Sequence, residues 1–76
     1  MTRGERPPAN RLREARTAAD MTQEGLARVA GCTLNTVSCV ERGDQAPSAA
    51  LALRIARALG TTVEAIWGPV ESGEGR

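Results

Sequence analysis

Residues 22–43 read TQEGLARVAGCTLNTVSCVERG, and the spacing inside this stretch decides the fold. Its apolar groups are Leu26, Ala27, Ala30, Cys32, Val37 and Val40. Intervals of three and four place these groups on one face of each of two short helices, and the two faces meet in one core. Thr22 precedes the first helix as an N-cap, its hydroxyl accepting from a free backbone N–H. Gly31 and Cys32 make the turn between the helices, since glycine tolerates the positive φ that ends a helix. Thr33 caps the second helix in the same way, and Gly43 stops it. Gly25 stands at the third position of the first helix, where glutamate or glutamine completes a capping box. The glycine costs that helix roughly 1 kcal/mol.

Helical signals continue on both sides. Leu12, Ala15 and Ala19 share a face at helical spacing, which predicts a first helix over about residues 9–19, with Met21 falling back into the core. Residues 1–8 hold arginines and a Pro-Pro pair and read as a flexible basic arm. Beyond Gly43 and a loop, Ser48 opens a fourth helix over about 48–59. Leu51, Ile55 and Leu59 lie along its core face, and Ala52 and Ala56 permit close approach of a neighbour. Gly60 ends it, Thr62 caps a fifth helix over 63–67, and Gly68 and Pro69 end that one. Residues 69–76 read as a disordered tail. The elements are therefore expected at 9–19, 23–30, 34–42, 48–59 and 63–67, in an all-α domain spanning 9–68.

With 76 residues the chain is one small domain. A core of that size is marginal alone, which favours tight helix packing and a second copy. There is no histidine, and Cys32 and Cys39 are the only two cysteines, so no metal-ligand framework is present and no cofactor is expected. No apolar run approaches the roughly 20 residues of a membrane span, and no signal-peptide pattern is visible. Two unpaired thiols fit a reducing compartment, so a cytoplasmic location is expected. All ten basic residues are arginine, and nine acids reduce the net charge to +1. The distribution says more than the sum. Arg3, Arg6, Arg11, Arg13 and Arg16 crowd the first 16 residues against Glu5 and Glu14. Local potential of this kind steers a surface toward phosphate.

The ordered combination resembles the lambda-repressor-like, or Cro/XRE-type, helix-turn-helix family. The residues that carry the resemblance are Asn10-Arg11-Leu12-Arg13, Arg16, Met21-Thr22-Gln23, Leu26-Ala27, Ala30-Gly31, Thr33, Val37-Ser38, Glu41-Arg42-Gly43, Pro47-Ser48, Ile55-Ala56, Ala58-Leu59-Gly60 and Val63-Glu64. They run from about Asn10 to Trp67. The resemblance implies a compact five-helix fold and a prokaryotic or phage DNA-binding regulator of transcription. It implies in particular a repressor that binds a pseudo-palindromic operator as a homodimer, with helix 34–42 in the major groove.

On helix 34–42, at about 100° per residue, Val37, Val40 and Glu41 point one way and Leu34, Asn35, Ser38, Cys39 and Arg42 the other. Asn35 suits a bidentate pair with adenine. Leu34 touches a thymine methyl, packs against helix 23–30 or is an ordinary surface leucine. Cys39 is either a small residue tolerated in the groove or a thiol whose oxidation alters binding. Leu34, Asn35 and Cys39 are thus the candidate base contacts. Candidate backbone contacts are Gln23, which by resemblance touches a phosphate at a helix N-terminus, and Thr33, Ser38, Arg42, Arg11 and Arg13. Thr33 also serves as a cap, and the arginines are equally consistent with a solvated face. By resemblance Arg16 and Glu41 form a structural salt bridge between the first and third helices. Val63, Ile66 and Trp67 supply either core packing or a dimer contact.

An enzyme is not expected, because the chain offers no histidine base, no nucleophile with a partner, no phosphate-cradling glycine loop and no paired carboxylates. Double-stranded DNA and a second copy of the chain are the expected partners, with neither a membrane nor a small-molecule ligand. The competing reading is a protein-interaction module of the same fold, such as an antitoxin. A restriction–modification controller is an alternative within DNA binding.

Overall fold

The computed structural model describes residues 10–68. Five helices follow in order: α1 Leu12–Ala18, α2 Gln23–Ala30, α3 Leu34–Arg42, α4 Ala49–Ala58 and α5 Val63–Trp67. No strand occurs among the described residues, so the fold is all-α. The arm 1–8 and the tail 69–76 lie outside the described residues. No described helix is long and apolar enough to cross a membrane.

Local chemistry accounts for most helix starts. The hydroxyls of Thr22, Thr33, Ser48 and Thr62 accept from the backbone N–H groups of Gly25, Thr36, Leu51 and Ala65. Each bond satisfies one of the donors that a helix leaves free at its N-terminus. Four helices stop in the same way. An N–H one or two residues past the cap turns back to a carbonyl five residues earlier: Met21 to Arg16, Cys32 to Ala27, Asp44 to Cys39 and Thr61 to Ala56. This closure requires a left-handed residue at its corner. Gly31 supplies it after α2 with φ +74°, and Asp20 does so after α1 with φ +58°. Aspartate is one of the few non-glycine residues that visit this region.

Two helices differ in their bounds from the sequence expectation. α1 starts at Leu12 rather than near residue 9, because the preceding residues are engaged in tertiary bonds. The Asn10 side chain accepts from the Leu12 N–H at 3.0 Å and donates to the Val40 carbonyl at 2.9 Å. The Arg11 N–H donates to the Ile66 carbonyl at 2.9 Å. Those bonds tie the start of α1 to the ends of α3 and α5. At the other end Ala19 has left the helix and is exposed, so it does not share the core face with Leu12. α4 is likewise one residue shorter at each end, with Ser48 and Leu59 as its caps.

The core consists of Leu12, Leu26, Ala27, Ala30, Val37, Val40, Leu51, Ala52, Ile55, Ala56 and Ile66. Ala15, Met21, Cys32, Ala58, Leu59, Val63 and Trp67 pack around it. α2 packs on both α3 and α4, and α1 bridges α3 and α5. Ala52 and Ala56 are both buried where α4 meets its neighbours. A longer-range bond fixes the α2–α4 junction: Arg54 Nε donates to the Ala30 carbonyl at 2.7 Å. That places a cation at the negative end of α2 and satisfies one of its last carbonyls.

Candidate nucleic-acid interface

α3 divides its residues between two surroundings. Val37 and Val40 are fully buried and hold the helix to the core. Leu34, Asn35 and Arg42 are exposed, while Ser38 and Cys39 are half-buried. Beside this outer face lies an open cleft of about 620 Å³ between α1, the start of α2, and α3. Arg13, Gln23, Leu34, Ser38, Glu41 and Arg42 line it, together with Arg16, Thr22 and Glu24.

The floor of the cleft is a hydrogen-bonded cluster. Arg16 Nε donates to Glu41 Oε2 at 2.6 Å, and its side-chain amine groups reach Glu41 Oε1 at 3.5 Å and the Met21 carbonyl at 2.8 Å. Gln23 Nε2 donates to Glu41 Oε1 at 3.1 Å. The arginine and glutamate side chains are only 12% and 7% exposed, so the pair is nearly dry and joins α1 to α3. Because Arg16 also holds Met21, the turn after α1 is tied to the same carboxylate. Three elements are thereby held at one angle, which sets how α3 is presented.

A second cluster sits at the far end of α3, in solvent. Arg42 donates to Asp44 at 2.9 Å, to the Ser38 hydroxyl at 2.7 Å and to Cys39 Sγ at 3.5 Å. The Asp44 hydrogen bond, more than its charge, raises the Arg42 pKa. A guanidinium is already charged throughout the working pH range, so this shift produces no pH switch there. Arg42 keeps a cation at the C-terminal end of α3, where the helix dipole favours one.

Set against this geometry, the sequence-derived candidates separate. Arg13, Gln23, Leu34, Ser38 and Arg42 converge on the cleft; Arg11, Thr33, Asn35 and Cys39 do not line it. Arg11 is exposed, and its backbone is bound to α5. Thr33 is exposed, and its hydroxyl both caps α3 and shares a 2.9 Å bond with Thr36. Asn35 is exposed on the outer face. Ile66 is 1% exposed and belongs to the core, which removes it as a dimer contact. Val63 and Trp67 are half-buried against the same core.

The chain matches the helix-turn-helix family profile over residues 12–66. It belongs to the Cro/C1-type helix-turn-helix family. Similar proteins come from bacteria and archaea. One is an uncharacterized HTH-type transcriptional regulator, YgzD, of Bacillus subtilis, 36% identical over 58 residues, which are 76% of this chain and 88% of the relative. A second, from Methanothermobacter thermautotrophicus, is 49% identical over 49 residues, covering 64% of this chain and 71% of the relative. A third, MJ0272 of Methanocaldococcus jannaschii, is 36% identical over 58 residues, covering 76% and 88%. All three carry the same description. The helix-turn-helix family comprises DNA-binding regulators of transcription rather than a class of enzymes.

Sequence reasoning missed two positioning residues of this helix-turn-helix unit. Asn10 went without a role, although an asparagine just before an apolar helical run is a recognisable capping signal. Arg54 carried no signal, because its partner is 24 residues away.

Proposed function

We propose that this protein binds duplex DNA in a sequence-specific manner, with α3 in the major groove, and acts as a cytoplasmic repressor. The observation that carries the reading is the outer face of α3. Its exposed Leu34 and Asn35 stand beside a cleft edged by Arg13 and Arg42, and the largely buried side chains of the Arg16–Glu41 pair hold the helix in place. Asn35 pairs with adenine through two hydrogen bonds, and Leu34 meets a thymine methyl. Cys39 adds a small contact. Gln23, Thr33, Ser38, Arg42, Arg11 and Arg13 engage the phosphates and set the register.

The operator is a pseudo-palindrome bound by a homodimer. The domain measures 33 × 32 × 20 Å, and half-sites one helical turn apart are separated by about 34–36 Å. Two copies side by side therefore fit successive major grooves on one side of the duplex. Repression needs only that this occupancy exclude other proteins from the site.

Selection from randomised duplex DNA tests the reading. A half-site containing adenine is expected to be enriched, in an inverted repeat. Asn35→Ala is expected to lower affinity by about 1–3 kcal/mol and to relax preference at that base pair. Binding should also weaken steeply with salt. A selection that returns no preferred sequence refutes the proposal and favours a protein-interaction role.

A further inference from the structure

Gln23 does not face the cleft as a free amide. One of its two Nε2 hydrogens is engaged by Glu41 Oε1 at 3.1 Å. An ionised carboxylate only accepts hydrogen bonds, so the nitrogen end of the amide must face Glu41 and the carbonyl oxygen must face away. This chemistry settles the amide orientation, which is otherwise ambiguous for a glutamine. Glu41 is itself immobile. Its side chain is 7% exposed, and Arg16 holds both of its oxygens. Arg16 also neutralises the carboxylate, which would otherwise repel an approaching phosphate.

We infer that Glu41 is a positioning residue for DNA binding, acting through Gln23. This rests on the DNA-binding reading above. Glu41 fixes the polarity of the Gln23 amide and leaves one Nε2 hydrogen and the carbonyl oxygen for the duplex. The hydrogen donates to a phosphate oxygen. The carbonyl oxygen is held away from Glu41, so the amide enters the complex in a single orientation. Without Glu41 the amide rotates freely, and half of its orientations aim an acceptor at an anion. Binding then has to order the side chain at an entropic cost. The carboxylate thus has two separate tasks. It clamps α3 to α1 through Arg16, and it orients a DNA contact on α2 through Gln23.

A double-mutant cycle separates these tasks. Affinity for the duplex enriched by selection is measured by fluorescence anisotropy at fixed salt for wild type, Gln23→Ala, Glu41→Gln and the double variant. Each is assayed at a temperature where its melting curve shows it folded. Glu41→Gln retains an acceptor for Arg16 but lets the Gln23 amide pair in either orientation. It is expected to weaken binding about fivefold when Gln23 is present and to change it little in the Gln23→Ala background, as coupled contacts do. Equal losses in both backgrounds overturn the inference, since a purely structural role is blind to Gln23. If DNA is bound and the coupling is zero, only this inference falls. If no duplex is enriched, the DNA-binding reading falls with it.

A wild-type measurement guards against misfolding of the variants. In the side-chain amide NMR spectrum, one Gln23 Hε2 proton is expected to be downfield and slow to exchange, with and without DNA. The other is expected to move on addition of the duplex. Two solvent-like Gln23 protons in the free protein overturn the inference without any variant.

Discussion

Replacing Glu41 with alanine should cost this domain a large share of its stability, and the structure indicates how much. Arg16 loses both of its bonds to the carboxylate and keeps only the Met21 carbonyl. Gln23 loses its partner as well. The guanidinium cannot escape to solvent without moving α1, because its side chain is 12% exposed. Stranding one member of a buried ion pair costs about 3–5 kcal/mol, and the residual exposure puts this case near 3 kcal/mol. A domain of this size has a total stability of roughly 4–11 kcal/mol. A loss of 3 kcal/mol lowers its melting midpoint by about 12–24 °C. Arg42→Ala provides the contrast, since its pair with Asp44 is 57% and 60% exposed and exposed pairs contribute little. Circular-dichroism melts with parallel urea titrations should place Glu41→Ala far below wild type and Arg42→Ala close to it. Arg16→Met combined with Glu41→Met should recover much of the loss, because no charge is then left stranded. Equal midpoints for Glu41→Ala and Arg42→Ala would refute the reasoning.

Two further perturbations probe other parts of the frame. Asn10→Ala removes the side-chain acceptor of the Leu12 N–H and the tie to Val40 and should cost about 1–2 kcal/mol, with faster hydrogen exchange at the Leu12 amide; an unchanged exchange rate there would show that this bond is dispensable. Gly31→Ala should cost about 1–2 kcal/mol through its left-handed φ alone. An added Cβ there has room, its nearest neighbour being Arg54 Nε at 3.9 Å. Gly31→Asn should cost less in urea titration, and equal losses for the two would point to a steric rather than a conformational origin.

Much of the frame was legible in the sequence. α2, α3 and α5 lie where the caps and glycines put them, and the apolar spacing of α3 identified its outer face. The family resemblance pointed to Arg16 and Glu41, which the fold brings within 2.6 Å. The first helix was less legible. An alanine-rich, arginine-rich segment has high helix propensity throughout, so propensity neither marked Leu12 as its start nor placed Ala19 outside it, and Asn10 was the one local signal for the start. The left-handed turn at Asp20 was not legible, because aspartate does not announce one as glycine does.

The sequence by itself determined where most helices begin and end and which faces are apolar. Those features depend on bonds between residues three to five apart, which backbone geometry fixes whatever the rest of the chain does. Only the tertiary structure decided what the polar side chains do beyond the local caps. Asn10 meets Val40 across 30 residues, Arg54 meets Ala30 across 24, and Gln23 meets Glu41 across 18. Such partners are chosen by where helices cross and by the need of backbone carbonyls and half-buried polar groups for a bond. The family resemblance offered Gln23 as a candidate phosphate contact. That Glu41 governs its orientation follows only from the packing of α2 against α3.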